Sequence, residues 1–174
     1  MDKLQAVKMA TLRANNKEVL LTRAEIDDAA ELLRVILAAY AEFLGKLEPP
    51  SGAFAETVSS IQAKLTNGGA IKAMVDDAMI GCVLYEPHTD FMYFGRLAVL
   101  PAWRRYGVAR SLITAVEHRA TALHLSRVQI GVRLVLPAHQ NYYEALGYRP
   151  IEYACHPGFS QPTSVTMEKR LPVG

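Results

Sequence analysis

The chain has 174 residues, which suits one domain with a proper core and would be cramped for two. Hydrophobic residues make up 51% of it and charged ones 21%, a globular composition that excludes a disordered tail. A net charge of +2, from 19 basic and 17 acidic side chains, argues against a dedicated nucleic-acid binder but allows a local basic pocket for an anion.

Residues 1–16 read as a leader, a loose segment or short helix around Asn15-Asn16, and residues 17–174 as a single domain. The leader has no long apolar stretch and no small-residue cleavage pattern. No run approaches the roughly 18 apolar residues of a membrane span. The expectation is a cytoplasmic protein with no membrane and no nucleic-acid partner.

Glu18–Leu21 is a short strand candidate. Thr22-Arg23-Ala24-Glu25 fits a capping box, and Ile26, Ala29, Ala30, Leu33, Ile36, Leu37 and Tyr40 follow at helical spacing, predicting a helix to about Phe43 that ends near Gly45. Pro49-Pro50-Ser51-Gly52 breaks the chain, and a second helix over Ala53–Leu65 stops at Asn67-Gly68-Gly69. The period then changes. Ala70–Val75 and Met79–Tyr85 are apolar runs joined by Asp76-Asp77, a hairpin signal, and Phe91–Leu100 reads as the third strand of a meander. A helix over Gly107–Leu123, a strand over Arg127–Leu134 and a short helix over Ala138–Leu146 closed by Gly147 come next. Tyr148–Ala154 and Ser164–Leu171 are the last strands. This order predicts an α/β (α+β) domain: a mixed, mostly antiparallel sheet flanked by helices, with one central strand–helix–strand crossover. Cys82 and Cys155 lie in apolar runs without metal-type spacing and read as two buried thiols.

The chemistry concentrates in Leu97-Ala98-Val99-Leu100-Pro101-Ala102-Trp103-Arg104-Arg105-Tyr106-Gly107-Val108-Ala109-Arg110. It is a strand, a turn ended by proline, a basic loop and a helix start. The first amides of a helix lack intrahelical partners and carry partial positive charge. Gly107 permits close backbone approach, Ala109 keeps the first turn small, and Arg104, Arg105 and Arg110 add charge, an arrangement suited to a diphosphate. The plainer alternative is an ordinary helix start with arginines facing water. The run lacks the Gly-Lys-Ser/Thr of a nucleotide-triphosphate loop and holds a single glycine, which excludes the dinucleotide fingerprint.

Arg104-Arg105-Tyr106-Gly107-Val108-Ala109 resembles the Arg/Gln-x-x-Gly-x-Gly/Ala signature of the GNAT (GCN5-related N-acetyltransferase) family. Downstream, Asn141-Tyr142-Tyr143-Glu144-Ala145-Leu146-Gly147-Tyr148 is similar to the family's Phe-Tyr-Glu-Lys-Leu-Gly-Phe segment, and Val165–Leu171 to its last strand. The resemblance runs from about Ala70 to Leu171. It implies that acetyl-CoA is the co-substrate, with no metal. Arg104, Arg105, Tyr106, Gly107, Val108, Ala109 and Arg110 would hold its diphosphate, and Leu97, Ala98 and Val99 its pantetheine arm and thioester. It implies direct attack by an amine, with the Val99 amide as oxyanion donor and Tyr143 as the acid for the leaving sulfur. Packing of Tyr143 on its own short helix is the bland alternative.

Two departures from the family stand out. Leu136 and His139 replace an asparagine and an alanine that many members carry before the tyrosine, leaving Asn141 or His139 to contact the pantetheine arm. The strand Phe91–Arg96 lacks the family's carboxylate base, which leaves Glu86, His88, Asp90, His156 or water. The acceptor walls would be Tyr40–Ala53 and Cys155–Thr163, admitting a small-molecule or peptide amine; a homodimer is compatible with the resemblance. A non-catalytic acyl-CoA sensor or interaction module on the same fold is the competing reading.

Overall fold

The computed structural model describes residues 8–172. Among them are eight strands: β1 (Lys8–Ala14), β2 (Lys17–Arg23), β3 (Gly69–Val75), β4 (Ala78–Pro87), β5 (Met92–Val99), β6 (Arg127–Arg133), β7 (Arg149–Ala154) and β8 (Ser164–Arg170). Four α-helices accompany them: α1 (Ala29–Tyr40), α2 (Val58–Asn67), α3 (Val108–Ala122) and α4 (Pro137–Ala145). The strands are hydrogen-bonded in the order β1-β2-β3-β4-β5-β6-β8-β7, and the β5–α3–β6 connection supplies a parallel pair in an otherwise mostly antiparallel sheet. The mixed α/β expectation therefore holds.

Two compact units are distinguishable, one running up to Glu86 and then over Arg96–Val116, the other over Pro87–Gly95 and from Glu117 onward. In the first, β2 pairs with β3 and β3 with β4, all antiparallel. Leu32, Val35, Ile36, Ile61, Ala70 and Cys82 are fully buried in one apolar cluster, where α1 and α2 cover these strands. In the second, Met92 and Tyr93 of β5 pair in parallel with Val128 and Gln129, and β8 pairs antiparallel with both β6 and β7. Met92, Phe94, Val128, Tyr148 and Met167 are among its fully buried side chains.

Three elements differ from the sequence reading. Lys8–Ala14 is a strand rather than part of a loose leader. Asn15 and Asn16 have φ of 48° and 60°, the hand of a two-residue hairpin turn that matches strand twist, and they fold β1 back onto β2. Thr22 does not cap a helix. It lies 2% exposed in β2, opposite Lys72 of β3, because ladder pairing carries the strand on to Arg23. The capping box forms one turn later, with the Glu25 amide donating to Asp28 Oδ2 at 2.7 Å. Lastly, Cys82 is buried, which pushes its thiol up to about 12, whereas Cys155 is exposed.

The turn gives a test of β1. Replacing Asn16 by valine puts a β-branched residue at positive φ and is expected to lower unfolding free energy by about 1–2 kcal/mol in urea denaturation. A leader without fixed structure would show no change.

Candidate functional site

In the first unit, β5 ends at Val99, Leu100 and a 3₁₀ turn Pro101–Trp103 follow, and α3 starts at Val108. Proline suits the start of such a turn because it needs no amide donor there. The Trp103 amide donates to Leu100 O at 2.9 Å and the Arg104 amide to Pro101 O at 3.3 Å, which closes the turn. Arg105 and Gly107 then take left-handed φ of 66° and 83°. A Cβ built on Gly107 meets nothing within 4 Å, so glycine is required here by backbone hand, with open space above it.

The consequence is a row of amides without acceptors. Among the described residues of this unit, none accepts a hydrogen bond from the backbone of Gly107, Val108, Ala109 or Arg110. The first paired amide is Ser111, which donates to Gly107 O at 3.0 Å. The dipole of a fifteen-residue helix points its positive end at the same place. Arg105 and Arg110 are exposed and form no ion pair among the described residues. Tyr106 is exposed, with its hydroxyl 3.4 Å from Asn15 Oδ1, while Val108 is buried and anchors the helix start.

Arg104 has a different situation from its neighbours. Its Nε donates to Val99 O at 3.1 Å, one Nη to Ala39 O at 2.9 Å, and the other to Glu42 at 2.6 Å. It thus ties the end of β5 to the last turn of α1, whose carbonyls lack helical partners. Leu97 is half-buried, and Ala98 and Val99 are buried at 2% and 8%. Gly81 of β4 is packed so closely that an added Cβ would lie 2.9 Å from Ala98 O, which holds this part of β5 against its neighbour.

A carboxylate absent from the sequence reading also reaches β5. Glu56, just before α2, has a side chain only 3% exposed. It receives Ser60 Oγ at 2.5 Å, Lys64 Nζ at 3.1 Å and Arg96 Nε at 2.8 Å. Burial alone would raise its pKa; the serine and the two cations outweigh that and hold it below the usual glutamate range. A lowered pKa makes Glu56 a weak base. Arg96 itself has φ of 50°, a left-handed residue inside a strand. Sequence could have flagged only the capped start of α2 at Thr57; that the preceding glutamate turns inward is a tertiary fact.

In the second unit, Tyr143 on α4 is 7% exposed. Its ring meets Phe94, Tyr148 and Tyr142 edge-on, at centroid distances of 6.2, 5.8 and 5.5 Å. Tyr148 is fully buried and donates its hydroxyl to Glu117 at 2.9 Å, and Lys169 pairs with both oxygens of that carboxylate at 2.9 Å. Burial first, and Glu117 second, push the Tyr148 phenol well above its ordinary range, so it stays protonated. His139 and Asn141 are exposed and Leu136 is half-buried.

The candidate bases are dispersed. Glu86, in the first unit, is exposed. His88 is exposed and stacked on Phe91 at 4.5 Å, Asp90 is bound by Arg127, and His156 Nδ1 contacts Thr163 Oγ1. Among the described residues, no group of three or more His, Cys, Asp or Glu could hold a metal ion, and no helix is long and apolar enough to cross a membrane.

The sequence profile of the acetyltransferase (GNAT) family matches residues 34–148, about two thirds of the chain. The chain belongs to the GNAT acetyltransferase family. Solved structures agree on the fold. The PaiA N-acetyltransferase of Thermoplasma acidophilum, in complex with coenzyme A, superposes with a TM-score of 0.73 at 13% identity, over 87% of this chain and 98% of its own. Ard1 from Thermoplasma volcanium gives 0.72 at 14% identity, over 89% and 99%. The ribosomal-protein-S18-alanine N-acetyltransferase of Escherichia coli gives 0.71 at 14%, over 90% and 96%. No curated protein sequence matches the chain. In GNAT terms, the signature run opens α3, and the second motif is α4 with the turn that follows it.

The Glu56 cluster yields a pH prediction. Its folded pKa lies below its unfolded one, so its contribution is complete above the ordinary glutamate range, near 4.3, and is lost as pH falls through the folded value. Glu56→Gln is expected to lower stability at neutral pH, and the gap to wild type should shrink at about pH 3. Chemical denaturation at the two pH values checks this.

Proposed function

We propose that this chain transfers an acetyl group from acetyl-CoA to an amine by direct attack. The observation that carries the reading is the row of amides from Gly107 to Arg110 that meets no acceptor among the described residues of its unit, beside two arginines, Arg105 and Arg110, without ion pairs among the described residues. Donors in that number, at a helix start, suit a diphosphate. Space above Gly107 leaves the backbone open to it.

When bound, the coenzyme supplies an activated acetyl group and a thiolate leaving group. The protein's own groups do the rest. Arg105–Arg110 hold the diphosphate, and Leu97, Ala98 and Val99 hold the pantetheine arm. The Val99 amide stabilises charge on the carbonyl oxygen. The amine lone pair forms the N–C bond as the C–S bond breaks, and its electron pair goes to sulfur. Tyr143 gives that sulfur a proton, and its ring is held for the task by Phe94 and Tyr148. The amine's surplus proton goes to water, since Glu56 is paired and weakly basic. Fixing both reactants in line supplies much of the rate. The acceptor is a small-molecule or peptide amine, met by Tyr40–Ala53 and Cys155–Thr163, and the reaction runs in the cytoplasm.

Calorimetric titration with acetyl-CoA tests the reading. Gly107→Asp and Arg110→Glu are each expected to weaken binding about tenfold or more, the first by filling the open space with negative charge, the second by charge reversal. Binding that neither variant affects would sink the assignment.

Thiol release with a panel of amines should give intersecting initial-rate lines, as direct attack requires. Tyr143→Phe should lower kcat about tenfold to a hundredfold while leaving acetyl-CoA affinity intact. Binding without turnover on any amine would favour a sensor instead.

A further inference from the structure

We propose that Glu56, Arg96 and Gly52 form a positioning cluster that sets the path of the strand residues Leu97–Val99, and through them the seat of the coenzyme's pantetheine arm. The inference rests on the acetyl-CoA reading above and adds residues that no sequence motif marks.

Arg96 is the residue immediately before that segment, and its φ of 50° departs from the extended path of β5. A non-glycine residue keeps this conformation only where its surroundings fix it. Here the surroundings are visible. Arg96 Nε and Nη2 both lie 2.8 Å from Glu56 Oε1. Arg96 Nη2 also lies 3.1 Å from where a Cβ would stand on Gly52, so a side chain there would crowd the guanidinium. The carboxylate is itself immobilised from its own side of the chain, by Ser60 and Lys64 of α2. Arg96 is therefore gripped by a fixed, buried acceptor from a segment 40 residues away in sequence.

The two cations on Glu56 have separable roles. Lys64 is 43% exposed and sits on α2, so it contributes to the local structure of Glu56 and not to β5. Arg96 is the partner that transmits the grip to β5. Removing Lys64 leaves the strand pinned, whereas removing Glu56 or the Arg96 guanidinium releases it. A purely structural role for the cluster would make all three changes equivalent.

The experiment compares two ligands on folded protein: acetyl-CoA, and the nucleotide half of coenzyme A, which carries the diphosphate without the pantetheine arm. Wild type is expected to bind both, acetyl-CoA more tightly. In Glu56→Gln and in Arg96→Met the acetyl-CoA dissociation constant should rise about tenfold while that of the nucleotide half stays within about twofold. Lys64→Met should match wild type on both ligands.

Equal weakening on both ligands, no weakening on either, or a Lys64→Met protein that behaves like Glu56→Gln would overturn the proposal. So would failure of Glu56→Gln and Arg96→Met to fold when Lys64→Met folds. A wild-type protein that binds no acetyl-CoA removes the coenzyme reading and this proposal together; normal binding by wild type and Glu56→Gln alike removes the proposal alone.

Discussion

Backbone amides cannot be hidden from water without an acceptor, and the start of α3 leaves several in a row without one in their unit. An unmatched buried amide costs about 1–3 kcal/mol, so such a row is tolerable only where solvent or a ligand reaches it. The fold meets that condition by making the loop tight and open at once. Pro101 and the 3₁₀ turn bring the chain off β5, left-handed residues at Arg105 and Gly107 turn it into the helix, and Val108 buries the first apolar side chain of α3. Among the described residues, no atom lies within 4 Å of where a Cβ on Gly107 would stand. Arg104 and the close packing at Gly81 hold the strand before that loop in place.

Four arginines near β5 and α3 show how context divides one residue type into different jobs. Arg104 bonds two carbonyls and a carboxylate, one carbonyl from β5 and one from α1, and so acts as a tie between elements. Arg96 is committed to a buried carboxylate. Arg105 and Arg110 are exposed and have no ion-pair partner among the described residues. A guanidinium has five donors in a planar fork, which is why a single Arg104 can satisfy three acceptors at once.

The second unit contributes an aromatic cluster backed by one half-buried ion pair. Phe94, Tyr143 and Tyr148 meet edge-on, and Tyr148 sits with its hydroxyl on Glu117 and Lys169 above its ring at 5.8 Å. Burial, and after it the Glu117 carboxylate, keep the phenol protonated, so the ring remains a neutral packing surface for Tyr143. Edge-on ring contacts on three sides restrict how the Tyr143 ring can turn.

Local rules carried most of the fold. The 3.6-residue and two-residue periods, the Asp76-Asp77 turn, Pro101 and Gly147 placed nearly every helix and strand from Ala70 onward, because each depends on neighbours a few residues away. The loop at Arg104–Arg110 was legible for the same reason: a helix start leaves amides unpaired whatever surrounds it. Where sequence misread the chain, a long-range partner decided the outcome. Lys8–Ala14 became a strand because β2 offered an edge, and Thr22 stayed in β2 because Lys72 pairs with it. Arg104 found Ala39 and Glu42, and Glu56 found Arg96, partners between 40 and 65 residues distant. Sequence by itself determined which groups this protein has and which local shapes they take. Only tertiary structure decided which of its charges are matched and which stay open, since a charge's partner is set by proximity in space, and proximity at that range has no signature along the chain.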